Sequence, residues 1–324
     1  MIKKINVLVT GTGSLIGQSI IKAIKNCDIS NEINIIGCDY FSNTIGSLWC
    51  SKNYIIPDIL IKNKQKIWLD KIIEIIKENN VLILFIGVDF ELIPFAKNKI
   101  EIESQTNCKI IVSDLNLLKV GNDKYLTYQF LKKNNFNYPK TFLPKNFKSS
   151  DLEFPVIVKP RVGARSRDVF KVNNKKELKE KMLKINNPII QEFLEDDNKE
   201  FTCGVLMLEN KIVDMIALKR SLKNGNTHIS EHKFDFPKEI YHYVKEVSNK
   251  IKPFGSCNFQ LRFNQKNQPC IFEINPRFSG TTYMRCLFGF NEVEYIIKFL
   301  LNYPNISFNM KEGLAYRFFE EKLL

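Results

Sequence analysis

Apolar and polar positions along this chain follow two periods in alternation. Ile5 to Val9 is a largely apolar run of strand length, and behind it Ile16, Ile20, Ala23 and Ile24 recur at helical spacing. Gly11, Gly13 and Gly17 fall at the junction, so the pattern predicts a strand, a glycine turn and a helix. Further strands are predicted at Ile33 to Cys38, Val81 to Ile86 and Lys109 to Val112. Trp68, Ile72, Ile75 and Ile76 mark a helix between two of them. Strands that alternate with helices imply a parallel sheet covered on both faces.

At Ser113 and Asp114 a polar cap opens one long predicted helix, with Leu118, Leu126, Phe130 and Leu131 on its apolar side. A domain boundary is placed there, giving residues 1–112 and 113–324. A loop at Tyr138 to Ser150, holding Pro139 and Pro144, leads into an apolar strand at Phe154 to Lys159. Strand, loop, strand and helix recur up to Glu192 as a small α+β unit. Strand-like runs at Phe201 to Leu208, Ile212 to Leu218, Asn258 to Phe263 and Cys270 to Ile274 then predict a largely antiparallel sheet. Helices at Lys238 to Lys250 and Glu292 to Leu301 are expected to cover it.

Composition adds bounds. With 324 residues, 44% of them hydrophobic, the chain can bury more than one core. The net charge of +13 comes from lysines spread along the length, with no basic segment that interleaves aromatics, so a nucleic-acid partner is not expected. A positive field does favour anionic ligands. The eight cysteines form no C-x-x-C pair and sit mostly in apolar runs, which reads as buried free thiols. No apolar stretch reaches the roughly 20 residues needed to cross a bilayer, and Met1 to Val9 has no h-region. No membrane partner is expected, and a reducing cytoplasm is the expected location.

The segment richest in chemistry runs from Asn258 to Gly280, where two strands flank a turn at Asn264 to Gln268. Glu273 and Asn275, two apart, project from one strand face, and hairpin pairing brings Gln260 opposite Glu273. A carboxylate and two amide oxygens suit a hard cation such as Mg²⁺, which completes its shell with phosphate oxygens and water. Arg277 follows, and its fixed fork suits a transferring phosphoryl group.

E-x-N-P-R after N-x-Q on the preceding strand resembles the ATP-grasp superfamily, closest to the carbamoyl-phosphate-synthase-like carboxylate-amine ligases. The resemblance covers nearly the whole chain and implies a Rossmann-like pre-ATP-grasp domain, then an ATP-grasp domain with a lid at about 141–198 and an antiparallel C-terminal subdomain. It implies ATP and Mg²⁺, or Mn²⁺ in its place, with metal held by Glu273, Asn275 and Gln260. Lys159 in V-I-V-K-P resembles the lysine on the α- and β-phosphates, and Lys124 in G-N-D-K-Y the earlier nucleotide contact. The stretch after Pro160, with Gly163, Ala164, Arg165 and Ser166, resembles the loop that folds over the phosphates, although relatives carry more glycine than this chain, which inserts Arg161, Arg165 and Arg167. Glu192, Phe193 and Leu194 would carry adenine and Glu200 the ribose. Arg220, or equally Lys219, would lie near the γ-phosphate. His228, Ser279, Gly280, Thr281 and Thr282 would face a substrate.

The implied activity joins a carboxylate to an amine through an acyl phosphate, with Arg277, Lys159 and Arg220 as its cationic machinery. The substrates are small molecules, and relatives often form homodimers. Two other readings compete. Gly11, Gly13 and Gly17 with Asp39 after the next strand suggest an NAD(P)-dependent oxidoreductase, although the last glycine comes one residue late. A catalytically silent ATP-binding protein of the same fold is the other. H-I-S-E-H at His228 to His232 matches an inverted zinc-protease pattern, but that chemistry needs a helix and Asn224, Gly225 and Asn226 predict a loop.

Overall fold

The computed structural model describes residues 4–148, 150–163, 166–194, 200–321 and 323. Among these the strands gather into three sheets. The first contains β1 (Ile5–Thr10), β2 (Ile33–Asp39), β3 (Lys52–Ile55), β4 (Ile83–Phe85) and β5 (Lys109–Ile111), all parallel, in the order β3-β2-β1-β4-β5. Successive side chains of β1 serve opposite faces: Val7 and Val9 pack with α1 (Leu15–Lys25), while Leu8 packs with α2 (Gln65–Glu78) and α3 (Asp89–Gln105). Trp68 of α2 meets Phe95 of α3 edge-on at 4.7 Å. The helix α3 carries little apolar periodicity, burying Leu92, Phe95 and Ile102 around an internal Pro94, so its pattern did not announce it.

The single long helix expected after Asp114 is two, α4 (Leu115–Asn122) and α5 (Lys124–Lys133). Asp123 divides them because its carboxylate accepts from the amides of Tyr125 and Leu126, a cap that restarts the helix.

The second sheet comprises β6 (Thr141–Phe142), β7 (Val156–Pro160), β8 (Phe170–Val172) and β9 (Pro188–Glu192), antiparallel in the order β6-β9-β7-β8, with α6 (Lys175–Lys184) packed on it. The third, in the order β14-β13-β10-β11-β12-β15, contains β10 (Phe201–Leu208), β11 (Lys211–Lys223), β12 (Asn226–His232), β13 (Gly255–Phe263), β14 (Pro269–Asn275) and β15 (Gly313–Tyr316), antiparallel throughout. One face is covered by α7 (Lys238–Ile251). The other packs on α8 (Thr282–Leu287) and α9 (Glu292–Leu300) in a core that continues through α1 to β1, so the first and third sheets share one apolar interior.

His228 to His232 forms strand β12 rather than a loop. Asn224 and Gly225 both adopt left-handed backbone (φ 52° and 72°) and make the two-residue turn that joins β11 to β12. Among the described residues no helix is long and apolar enough to cross a membrane, and all eight cysteines are free, with only Cys50 less than fully buried.

Candidate active site

The hairpin β13–β14 pairs Gln260 with Glu273 and Asn258 with Asn275, as the spacing of the segment requires. Glu273 Oε1 accepts from Asn275 Nδ2 at 2.9 Å and from Gln260 Nε2 at 3.4 Å, while the amide oxygens of Gln260 and Asn275 accept from Arg220 Nη2 at 2.9 Å and Arg277 Nη2 at 3.0 Å. Rotating either amide presents oxygen where nitrogen now lies. One carboxylate and two amides therefore fit a hard divalent cation held jointly with phosphate oxygens. Among the described residues no cluster of three His, Cys, Asp or Glu exists to hold a metal by protein alone.

Between the second and third sheets lies an open cavity lined by both polar and apolar side chains. Lys124, Lys159, Gly163 and Ser166 line one side, and Glu192, Phe193 and Leu194 another. Lys159 is 5% exposed, and among the described residues no hydrogen bond or ion pair engages its ammonium group, which stands 5.5 Å above the Phe272 ring. Burial, reinforced by Lys124 and only partly offset by Glu273 and Glu200, pushes its pKa down to about 7. A desolvated cation without an anion is costly, so this arrangement calls for one from outside. Lys124 opens α5, is itself buried, and donates from Nζ to Gly163 O at 2.8 Å, tying the loop after β7 to the helix.

Glu200 accepts from Nε and Nη2 of both Arg220 and Arg262. Burial alone would raise its carboxyl pKa, but the two guanidiniums overcome that and hold it below the usual carboxylate range. Its oxygens are thus engaged on the cavity wall, which sets the ribose role implied by the resemblance against two arginines. Strand alternation separates the two candidates on β11: Arg220 lines the cavity and is braced by Glu200, Gln260 and Thr227, whereas Lys219 lines neither of the cavities described here. The Glu192 carboxylate accepts from the Lys140 amide at 2.9 Å and so is turned toward β6. Arg161 is committed to Asp123. Ala164 and Arg165 lie outside the described residues.

Arg220, Gln260 and Glu273 also line a second cavity, against the start of α1. Arg277 stands in its wall, donating to Asp89 Oδ1 at 2.6 Å and to Phe278 O at 3.0 Å. Ser279, Gly280 and Thr281 form another side. Sequence reasoning missed what fixes them: the fully buried Arg285 donates to Asn258 Oδ1, Ser279 Oγ, Thr281 Oγ1 and Thr282 Oγ1 at 2.8–3.1 Å and pairs with the equally buried Glu292. Gly204 on β10 makes room, because a Cβ there would fall 2.4 Å from Arg285 Cδ. No short motif links Arg285, Glu292 and Gly204, and the cluster becomes visible only when β10 and β13 meet α8. His228 sits on β12 and lines neither cavity.

The rival glycine turn is already filled. Asp39 accepts from the amides of Gly13, Tyr40 and Phe41 at 2.7–3.1 Å, which leaves it inside the turn rather than facing a ribose. Thr44 bonds Thr12 at 2.9 Å, and Gly46 rests so close that a Cβ there would lie 1.9 Å from Thr12 O.

A family profile for the ATP-grasp domain matches residues 121–281. Over that segment the chain belongs to the ATP-grasp family. It is 28% identical to an uncharacterized protein of Mycoplasma pneumoniae over 51% of this chain and 58% of that one. It is also 24% identical to a carbamoyl-phosphate synthase of Methanobrevibacter smithii over 72% of this chain and 66% of the relative. The chain thus spans roughly three fifths of the length of the curated relatives it matches. The structure of an ADP complex of N5-carboxyaminoimidazole ribonucleotide synthetase superposes with a TM-score of 0.74 at 14% identity, covering 96% of this chain and 81% of the other. That likeness establishes the shared fold.

Proposed function

We propose that the protein is an ATP- and Mg²⁺-dependent ligase that joins a carboxylate to an amine. The observation that carries this reading is that the two cavities share Arg220, Gln260 and Glu273 in their walls, beside a buried Lys159 that has no ion-pair partner among the described residues. ATP occupies the first cavity with its adenine at Glu192 to Leu194 and its phosphates toward Lys124, Lys159 and the loop bearing Gly163 and Ser166. Residues 1–112 act as the pre-ATP-grasp domain, and about 141–198 as a lid on the remainder. Glu273, Asn275 and Gln260 would hold Mg²⁺, which would supply charge neutralisation on the phosphates.

A carboxylate oxygen of the substrate, placed beside Arg277 in the second cavity, attacks the γ-phosphorus as the bond to ADP breaks. The amine nitrogen then attacks the acyl carbon, loses a proton, and expels phosphate. Lys159, Arg220 and Arg277 stabilise charge on the transferring group, so no protein nucleophile is required. The hydroxyl cluster held by Arg285 fixes the loop against which the carboxylate rests. Excluding water while the acyl phosphate waits is the lid's contribution.

Calorimetry of MgATP binding to the native protein, Lys159→Ala and Glu273→Ala tests the nucleotide half of the proposal. Capture of the acyl phosphate by hydroxylamine, with ADP release, tests the chemistry. Tight MgATP binding lost in Lys159→Ala together with hydroxamate formation is the expected result. Binding without ADP release across a broad carboxylate panel identifies a silent nucleotide-binding protein, and NADH binding without MgATP binding rejects the reading.

A further inference from the structure

Arg317 follows β15 and lines the second cavity. Its backbone amide donates to His228 O at 2.8 Å, which fixes the segment to β12. Nη1 donates to Thr227 O at 2.6 Å and Nη2 to Gly280 O, so the guanidinium bridges β12 and the loop after β14 while forming part of the cavity wall.

What separates Arg317 from the other buried and half-buried arginines is its company. Arg161 is paired with Asp123, Arg220 and Arg262 with Glu200, Arg277 with Asp89 and Arg285 with Glu292. Among the described residues no carboxylate lies within ion-pair distance of Arg317. Its neighbours are carbonyl oxygens and Met284 Sδ at 3.9 Å. Burial pulls its pKa below the ordinary guanidinium value. Carbonyls orient the fork without neutralising it, and an arginine at these positions remains charged.

Three arginines of different standing therefore line the second cavity, and Arg220 is already paired with Glu200. Arg277 is compensated by Asp89 and stands next to the metal-binding hairpin. Arg317 has no carboxylate partner among the described residues and is held in the cavity wall by Gly280 O. We propose that Arg317 is a specificity residue that binds a second anionic group of the substrate, separate from the carboxylate that reacts, so that the preferred substrate is a dianion. The group is planar or tetrahedral oxyanion chemistry that a guanidinium fork accepts, a carboxylate or a phosphate monoester. This rests on the ligase reading for the position of the reacting carboxylate.

The test measures competition for the second cavity by paired probes in the presence of MgADP. Succinate is compared with succinamate, and phosphoglycolate with glycolate, against the native protein, Arg317→Gln and Arg317→Lys. The native protein is expected to bind the dianion of at least one pair more than tenfold tighter than its monoanion, and the pair that responds distinguishes carboxylate from phosphate. Arg317→Gln is expected to erase the preference, and Arg317→Lys to keep part of it, with MgATP affinity unchanged in both. Equal binding of dianion and monoanion by the native protein overturns the proposal, as does a preference that survives Arg317→Gln. Failure of the native protein to bind MgATP strikes the ligase reading instead, so the two failures are told apart.

Discussion

The chain carries two turns that each resemble a nucleotide site, and they differ in whether their polar groups are already satisfied. At the glycine turn before α1, Asp39 is consumed by three backbone amides and the Thr44–Gly46 segment is seated on Thr12. At the cavity between the second and third sheets, Lys159 is buried with no counter-ion among the described residues, while Lys124 ties the loop at Gly163. A glycine pattern records the shape of a turn, whereas an unsatisfied buried charge records what the site is built to receive. Unmet electrostatics is therefore the better guide to ligand placement.

The largest effect that would sharpen this contrast comes from the hairpin. Glu273→Ala is expected to lower ADP release on the order of 10³-fold, read in a coupled assay, because both amides lose the carboxylate that organises them. Lys159→Ala is expected to weaken MgATP binding by roughly 10²-fold or more in calorimetry. Retention of native affinity in Lys159→Ala would break the comparison at its stronger end.

Gly46→Ala acts on the other turn. Its methyl group has no room beside the Thr12 carbonyl, so a loss of about 1–3 kcal/mol in denaturant unfolding is expected, with MgATP affinity preserved. Asp39→Asn should cost about 1 kcal/mol through weakened hydrogen bonds to the Gly13, Tyr40 and Phe41 amides, again without effect on nucleotide affinity. A large drop in nucleotide affinity in either variant would mean that the turn participates.

Proton linkage gives the subtlest discrimination. The Lys159 pKa is depressed to about 7 in the folded protein, whereas an unfolded lysine titrates near 10.4. Between those values the unfolded chain binds more protons, so the stability of the unliganded protein rises with pH; below about 7 the cost of the buried charge is fully present. Lys159→Met should therefore be more stable than the native protein by roughly 2–4 kcal/mol near pH 6, and urea unfolding should show the advantage shrinking toward pH 10. Phosphates restore the charge, so MgATP binding at pH 8 should take up close to one proton in the native protein and none through this group in Lys159→Met.

Much of this was legible along the chain because it is written at short range. The alternation of Ile5 to Val9 with Ile16 to Ile24 determines a strand and a helix by period alone, and Gln260, Glu273 and Asn275 converge because a hairpin with a five-residue turn admits that register. Less regular elements were hidden. The helix α3 lacks a clean apolar stripe, Asp123 splits a helix that hydrophobic spacing ran through, and β12 depends on recognising Asn224–Gly225 as a two-residue turn.

Residue types at fixed offsets determined the oxygen-donor hairpin, the lysine that ends an apolar strand and the order of the elements, since each depends on neighbours within a few positions. Which charges remain unmatched was decided by tertiary packing alone. Asp123 neutralises Arg161, Glu200 takes two arginines, Glu292 meets Arg285 in space cleared by Gly204, and Lys159 and Arg317 are left with neutral partners. Charge pairing depends on distance through space and on desolvation, and both arise only when sheets distant in sequence pack together.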